Sequence, residues 1–203
     1  MTIAVRLWTD LGLLWACGAD GLFDARDARP MDGFTTPRLV AERLHARHLD
    51  DLVALHLDPE VSRYLGGTRS AKATEAYLAT NLAHWDRHGF GLWAWRTPGG
   101  VFVGRAGIRP LAVEGVAEIE IAYALTRDAW GQGYASEMTQ ALVQHALERL
   151  ALPSLVGVVM VEHVASRRVL EKAGFSLERS VAHAGEPCVL YRRTARGRGD
   201  VAA

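Results

Sequence analysis

The sequence predicts one α/β domain in which helices pack against a mixed, mostly antiparallel sheet. Short stretches that alternate apolar and polar residues, bounded by glycine and proline, indicate strands, and stretches with the helical period lie between them. The run over residues 155–161 is almost entirely apolar, as expected of a strand that is buried on both faces. At 203 residues the chain is long enough to bury a substantial core within a single domain.

The charge and cysteine content argue against several classes of partner. Lys+Arg and Asp+Glu are equal at 23 each, so we expect no nucleic-acid partner. The two cysteines, Cys17 and Cys188, have no spacing typical of a disulfide framework or of a metal site, and we expect no metal. Cys188 follows Pro187 in a predicted terminal strand, where a thiol serves as a small apolar side chain. These features favour a cytoplasmic protein.

Residues 1–33 differ in character from the rest and are predicted to be a poorly ordered N-terminal extension. Their short apolar run is interrupted by Arg6 and Asp10, so we expect neither a membrane span nor association with a membrane. A signal peptide is a weaker alternative, because Asp10 would lie inside its apolar region. The domain itself is expected over residues 34–195, followed by a basic tail over 196–203.

The N-terminal part of the domain contains one predicted strand and then three predicted helices. Asp58 followed by Pro59 is typical of a helix start, with an N-cap side chain and proline at the first helical position. Ser70 is the predicted N-cap of a longer helix, which Gly89 ends. The predicted ranges are 38–44 for the strand, and 48–56, 58 onward and 70–88 for the helices.

A hairpin follows, and its turn is predicted over residues 97–100, with the sequence TPGG. Gly104 and Gly107 within the second strand indicate a bulge or a close approach of two backbones. The strands are predicted over 91–96 and 101–108, with 110–115 as the connection to the next strand. Three tryptophans can line a substrate pocket or pack in the core, and core packing is favoured: they are Trp85, Trp93 and Trp95.

Residues 117–150 form the stretch around which the chain is organised. Charged or small residues alternate with apolar ones from Glu118 to Leu125, which predicts a half-buried strand, and a helical apolar stripe begins at Ala135. Between them, Gly131 and Gly133 allow the backbone to pass close to a bulky anion, so that successive N–H groups can hold a phosphate. A tight strand-to-helix turn is the alternative reading of this loop taken alone.

The C-terminal part is predicted to complete the sheet. A buried strand over 155–161 is followed by a helix over 166–172, and the glycine at position 174 marks its end. The last two predicted strands, over 175–183 and 188–194, form an antiparallel pair.

The organising stretch resembles motif A of the GNAT acetyltransferases. That motif has Arg or Gln, two residues, Gly, any residue, and then Gly or Ala, and Gly131 and Gly133 match its glycines. Asp128 stands at the Arg or Gln position, with Arg127 beside it. Downstream, residues 161–175 resemble the signature "EN-x-x-S…EK-x-GF" of the branch that contains the Rim-type ribosomal-protein N-acetyltransferases. The resemblance extends over residues 36–191.

This resemblance implies a GNAT-like fold and an acetyl-CoA-dependent N-acetyltransferase that uses no metal. Acetyl-CoA is then a co-substrate, and its acetyl group passes by direct attack to a primary amine, either a peptide N-terminus or a small molecule. His163 departs from the pattern, because it stands where the family has Asn. The implied cofactor-binding residues are Leu125, Arg127, Trp130, Gly131, Gln132, Gly133, Tyr134, Ala135, His163 and Ser166.

Two carboxylates on the organising strand are candidates for the catalytic base. Glu118 and Glu120 are two residues apart, so both side chains point to the same face of the sheet. Glu120 matches the Glu of the Rim-type "E-I-G-Y" pattern and is favoured, whereas Glu118 fits a solvated sheet face equally well. Ser166 can contact the cofactor or cap the helix that follows, and the cap is preferred. The alternative function is a catalytically silent acyl-CoA-binding module. In either case we expect a monomer or a homodimer.

Overall fold

The structure is a computed structural model that describes residues 32–195. The predicted extension before Asp32, including Cys17, and the predicted tail from Arg196 lie outside the described residues. Within that range no helix is long and apolar enough to cross a bilayer. No group of three or more His, Cys, Asp or Glu side chains is arranged there to hold a metal ion.

Eight strands form one sheet in the order β1-β2-β3-β4-β5-β6-β8-β7. All neighbouring strands are antiparallel except β5 and β6, which are parallel. The predicted mixed, mostly antiparallel sheet is therefore confirmed. The strands are β1 (Gly33–Thr35), β2 (Val40–Arg43), β3 (Leu92–Arg96), β4 (Phe102–Val113), β5 (Val116–Leu125), β6 (Ser154–Met160), β7 (Ser176–His183) and β8 (Glu186–Thr194).

Helices cover both faces of this sheet, and the helices near Asp58 and Ser70 begin at the predicted signals. Asp58 accepts hydrogen bonds from the backbone of Glu60 and Val61, and Ser70 accepts one from Ala73, so both are N-caps as predicted. Gly89 adopts the left-handed conformation that ends the long helix. The helices are α1 (Leu49–Leu57), α2 (Pro59–Ser62), α3 (Ala71–His88), α4 (Tyr134–Gln144), which continues as a π-helical turn (His145–Arg149), and α5 (Val164–Lys172).

Two apolar clusters pack on opposite faces of the central strands. Alternate residues of β5 divide between them: Ile119 and Ile121 pack under α4, whereas Ala122 and Ala124 face α1 and α3. The three tryptophans are at most 1% exposed, which confirms core packing as their role. Cys188 is buried among apolar side chains of the last strands, as predicted.

The predicted connection over residues 110–115 is wrong, because β4 continues to Val113 and turns directly into β5. Pro110 pairs with Ile119 of β5, although proline has no N–H for a second neighbour. Proline is tolerated here because β3 pairs with β4 only as far as Leu92 and Gly107. At Pro110, β4 therefore has a single neighbouring strand, β5. Strand β1 was also not predicted, and it starts at Gly33, one residue inside the predicted extension.

Gly107 lies where two backbones approach closely, as the sequence indicated. A Cβ at this position would stand 2.1 Å from the carbonyl oxygen of Gly91 and 2.6 Å from the Cα of Leu92. We expect Gly107→Ala to push β3 away from β4 and to lower the free energy of unfolding by about 1–3 kcal/mol. Urea denaturation measures the loss.

Gly99→Ala is the matched control. In the hairpin turn, the nearest atom to an added Cβ is the Thr97 side-chain oxygen at 3.8 Å. This change should alter stability by no more than about 0.5 kcal/mol. Equal stabilities of the two variants would contradict the close approach of β3 and β4.

Candidate active site

Strands β5 and β6 separate at the centre of the sheet. Their register contains one pair, Glu120 with Val156, whereas β5 remains paired with β4 as far as Leu125. Past Glu120, backbone groups of β5 that would face a neighbouring strand therefore have no partner in β6. We call the space between the two strands beyond this pair the strand gap.

The loop at the end of β5 leads directly to the first turn of α4. Gly131 and Gly133 have φ values of +73° and +80°, and all three residues from Gly131 to Gly133 are exposed. Side chains with a Cβ rarely adopt this backbone conformation, which explains both glycines. Gly133 is the N-cap of the 11-residue helix α4, so unsatisfied N–H groups and the positive end of the helix dipole lie at this loop. We call residues 130–133 the glycine loop.

Residues of the segment between β1 and β2 hold the glycine loop in place. Arg38 donates from Nη1 to the backbone oxygen of Gln132 at 2.9 Å, and its guanidinium lies 4.8 Å from the centre of the Tyr134 ring. Glu137 in the first turn of α4 accepts from the Thr36 hydroxyl at 2.6 Å and from Nε of Arg38 at 2.7 Å. Sequence reasoning missed this brace, since it joins residues about a hundred positions apart.

Further contacts hold the loop from within. Trp130 donates from its indole N–H to the backbone oxygen of Leu125 at 3.0 Å, and its ring is 48% exposed. Gln132 donates from its side-chain amide to the backbone oxygen of Asp128 at 2.5 Å. Arg127 is exposed and lines, with Asp128 and Trp130, a cavity of about 680 Å³ that opens between the loop and helices α1 and α2.

Glu120 lies at the mouth of the strand gap and is held by Arg109. Nε and Nη2 of Arg109 contact Oε2 of Glu120 at 2.9 and 2.7 Å. The Glu120 residue is 6% exposed, so its charge depends on this partner. These two contacts are both made to Oε2 of Glu120.

Glu118 occupies a different environment from Glu120. Nη1 and Nη2 of Arg192 contact its two oxygens at 3.0 and 2.6 Å, and Arg192 also contacts Glu178. The two side chains do share a face, as predicted, but Glu118 is neither solvated nor at the strand gap. This carboxylate belongs to an ion-pair network that joins β5 to β7 and β8.

The preferred role of Ser166 as helix cap is wrong. His163 is the N-cap of α5, and its Nδ1 accepts from the Ser166 backbone N–H at 3.4 Å. Its ring also stacks on Tyr64 with centroids 3.9 Å apart. Burial lowers the pKa of His163 despite the nearby charge of Glu162, which favours the neutral ring that such an acceptor requires. The Ser166 hydroxyl is therefore free to bond elsewhere.

The Ser166 hydroxyl instead lies 2.8 Å from the hydroxyl of Tyr123 on β5. Burial raises the pKa of Tyr123 to about 12, against a lowering by the hydrogen bond with Ser166, so the phenol keeps its proton at neutral pH. In the sequence Tyr123 is an apolar position of the alternating strand, on the face opposite Glu120. Its contact with α5 has no signal in the local sequence.

The brace on the glycine loop predicts a pH-dependent stability. Burial alone would raise the pKa of Glu137, but hydrogen bonds from Thr36 and Arg38 lower it overall. With a folded pKa below the unfolded value of about 4.3, Glu137 stabilises the fold fully above that value, and the contribution is lost as pH falls through the folded pKa. We expect Glu137→Gln to cost about 1 kcal/mol at pH 7, since Arg38 is half exposed.

Thermal unfolding of the wild type and Glu137→Gln from pH 7 to pH 3 measures this effect. The difference between the two proteins should shrink as pH falls below about 4. A difference that stays constant over this range would show that the carboxylate charge does not hold the loop.

Comparison with known proteins agrees with this geometry. The model of the acetyltransferase (GNAT) domain matches residues 38–176. The YkkB protein of Bacillus subtilis strain 168 is 28% identical over 163 residues, which are 77% of this chain and 95% of that protein.

Solved structures show the same fold. An acetyltransferase from Agrobacterium tumefaciens strain C58 superposes with a TM-score of 0.71 at 26% identity, covering 80% of this chain and 94% of that one. RimL, a ribosomal-protein α-N-acetyltransferase solved with coenzyme A, is 21% identical with a TM-score of 0.67, covering 79% and 96% of the two chains. With the fold, the strand gap and the family match all in agreement, the chain belongs to the GNAT acetyltransferase family.

Proposed function

We propose that the protein transfers an acetyl group from acetyl-CoA directly to a primary amine, with Glu120 as proton acceptor and the Ser166–Tyr123 hydroxyl pair as proton donor. Acetyl-CoA-dependent transfer to amines is the activity that the family implies. The acceptor is either a protein N-terminus or a small molecule. The observation that carries the proposal is the strand gap, which opens beside the glycine loop and has Glu120 at its mouth.

The glycine loop and the strand gap suit the two parts of the cofactor. Backbone N–H groups from Gly131 to Ala135, at the N-terminus of α4, suit a pyrophosphate, whereas the Trp130 N–H donates to the carbonyl oxygen of Arg127. The edge of β5 as far as Leu125 offers backbone groups to an extended amide-bearing arm, as a sheet edge does for a peptide. Arg127 is exposed beside this path and suits a phosphate contact. The thioester would then lie in the strand gap, where a backbone N–H can polarise its oxygen.

Glu120 is placed to take the proton of the attacking amine. An acceptor amine is largely protonated at neutral pH, because α-amino groups titrate near pH ~8 and lysine near ~10.4. Arg109 anchors one oxygen of Glu120, so the other can accept a hydrogen bond from the ammonium group. Glu118 lacks this opportunity, since Arg192 engages both of its oxygens.

The Ser166–Tyr123 pair is suited to protonate the leaving thiolate. Its hydroxyls are joined at 2.8 Å, and the high pKa of Tyr123 keeps a proton available across the neutral range. Ser166 lies in the first turn of α5, which begins shortly after the end of β6, so its hydroxyl can face the strand gap. His163 contributes by capping α5 and thereby setting the position of Ser166.

Glu120→Gln tests the base. The change keeps the shape but removes the proton acceptor, so kcat should fall by ~10²–10⁴-fold at pH 7 with acetyl-CoA affinity nearly unchanged. The deficit should shrink at high pH, where the amine is already neutral. Thiol release with a panel of amines and N-terminal peptides measures kcat, and calorimetry measures affinity.

Glu118→Gln is the matched control for the same strand. It removes an ion pair with Arg192 and should lower stability while leaving kcat within about threefold of the wild type, as expected for a residue outside the reacting groups. Loss of activity in Glu118→Gln alone would identify Glu118 as the base. Acetyl-CoA binding without thiol release for any amine would instead favour the silent binding module.

Ser166→Ala tests the proton donor. A thiol titrates near pH ~8.5, so its thiolate leaves readily, and we expect a fall in kcat of about ten- to a hundredfold, at the low end for acid catalysis. Tyr123→Phe should give a similar loss, since it breaks the same hydroxyl pair. Product analysis by mass spectrometry follows both variants. Full activity in both variants would show that solvent, and not the hydroxyl pair, protonates the thiolate.

A further inference from the structure

Arg105 is a buried cation without an anionic partner among residues 32–195. Its side chain is 2% exposed, and its Nε has no hydrogen-bond partner in that range. Glu120, the carboxylate nearby, forms its ion pair with Arg109 instead. Burial lowers the pKa of Arg105 and the charge of Arg109 adds to this, although Tyr77 and Glu120 partly offset the effect. A charge held in this way destabilises a protein unless something compensates for it.

Two further unsatisfied polar groups lie beside Arg105. Its guanidinium is 5.5 Å from the centre of the Tyr77 ring, and the Tyr77 hydroxyl is buried without a hydrogen-bond partner in the described chain. The ring of His56 is 5.1 Å from that of Tyr77 and is fully buried. Nδ1 of His56 pairs with the Thr74 hydroxyl, but its Nε2 has no partner within residues 32–195. We call Arg105, Tyr77 and His56 the Arg105 cluster.

The Arg105 cluster can offer three hydrogen-bond donors to one ligand. Arginine donates only, a phenol donates through its hydroxyl, and neutral imidazole donates from Nε2 when Nδ1 accepts from Thr74. Burial lowers the pKa of His56 to about 3, with Arg105 and Arg69 lowering it further, so the ring is neutral. One of these three donors is a cation, and an oxyanion is the kind of ligand that such a set of donors binds.

The position of the cluster links it to the acceptor side of the site. Arg105 pairs with Ala124 across the β4–β5 ladder, and Arg109 pairs with Glu120, so both arginines stand on the face that Glu120 occupies. Between them on that face lie the small residues Gly107 and Ala122, and Ala122 packs in the apolar cluster beneath α1 and α3. To reach Arg105, an acceptor whose amine meets Glu120 would extend along this face, between the sheet and the helices that cover it.

We infer that the Arg105 cluster is an oxyanion subsite, and that the acceptor is a primary amine that also carries a carboxylate or a phosphate. This inference rests on the proposed acetyl transfer and names the substrate class for it. Free amino acids, phosphorylated amines and peptides with an acidic residue near the N-terminus share this chemistry. Neutral amines and polycationic amines lack the group that the subsite would bind.

Matched acceptor pairs test the inference. Glycine, β-alanine and 4-aminobutyrate are compared with their amides, O-phosphoethanolamine with ethanolamine, and N-terminal peptides carrying Asp with those carrying Asn. At least one anionic acceptor should exceed its neutral counterpart in kcat/KM by about tenfold or more, because the neutral analogue leaves buried donors unpaired. The best pair also identifies whether the oxyanion is a carboxylate or a phosphate, and whether it belongs to a small molecule or a peptide.

Substitutions then assign the preference to Arg105. Arg105→Met should abolish the preference while activity with the neutral amine persists, and Arg105→Lys should retain part of it. Arg179→Met, which removes an arginine paired with Glu114 at the far edge of the sheet, should leave the preference intact. Equal kcat/KM for anionic and neutral members of every pair, or a preference that survives in Arg105→Met, would overturn the inference.

Binding without turnover separates this inference from the proposed function. Inorganic phosphate should raise the melting temperature of the wild-type protein but not that of Arg105→Met. Without added anion, Arg105→Met should melt at a higher temperature than the wild type, because it removes an uncompensated buried charge. If no amine is acetylated and phosphate still protects only the wild type, the acetyl transfer fails and the subsite stands. If amines are acetylated but phosphate protects neither protein and no pair shows a preference, the subsite fails alone.

Discussion

Beyond Glu120, β5 and β6 no longer pair, and this lost pairing is the constraint on which the rest of the site depends. Both strands stay ordered because each has another neighbour: β5 is paired along its length with β4, and β6 with β8. Backbone groups inside a sheet normally satisfy one another. Here those along one side of β5 can be satisfied by a ligand without any unfolding of the strands.

Buried charges collect on one face of the strands that border this opening. Arg105 and Arg109 of β4 and Glu120 of β5 lie where the flanking positions carry apolar or small side chains. Replacing such charges with well-packed apolar residues usually stabilises a fold, so their presence is a cost. Perturbed charged groups of this kind concentrate at functional sites, where the cost is offset by binding or chemistry. The ion pair of Glu118 with Arg192 differs, since it is complete by itself and joins strands.

The glycine loop depends on contacts from remote parts of the chain. Arg38 and Thr36 precede β2, yet they bind Glu137 and the backbone of Gln132 at the start of α4. Across the site, Tyr64 stacks on His163 at the start of α5. Thus the N-termini of α4 and α5, which border the strand gap, are each held by an early segment of the chain. This arrangement couples the geometry of the loop to the overall fold.

The sequence by itself determined the elements with strong local signals. The caps at Asp58, Ser70 and Gly89, the alternation of β5 and the two glycines of the loop each depend on a few neighbouring residues, and the structure confirms them. The predicted cofactor contacts of the loop stay predictions. Only the tertiary structure decided that Pro110 lies within a strand, because its tolerance depends on where β3 ends.

The partners of the charged and polar side chains were likewise decided by the tertiary structure. The sequence placed Glu118 and Glu120 on one face, but their different surroundings follow from Arg192 on β8 and Arg109 on β4. Ser166 fits a cap in sequence, and His163 takes that place because its ring reaches the same backbone N–H. Local sequence specifies backbone conformation over a few residues, whereas the pairing of buried charges depends on strands and helices that meet only after the chain has folded.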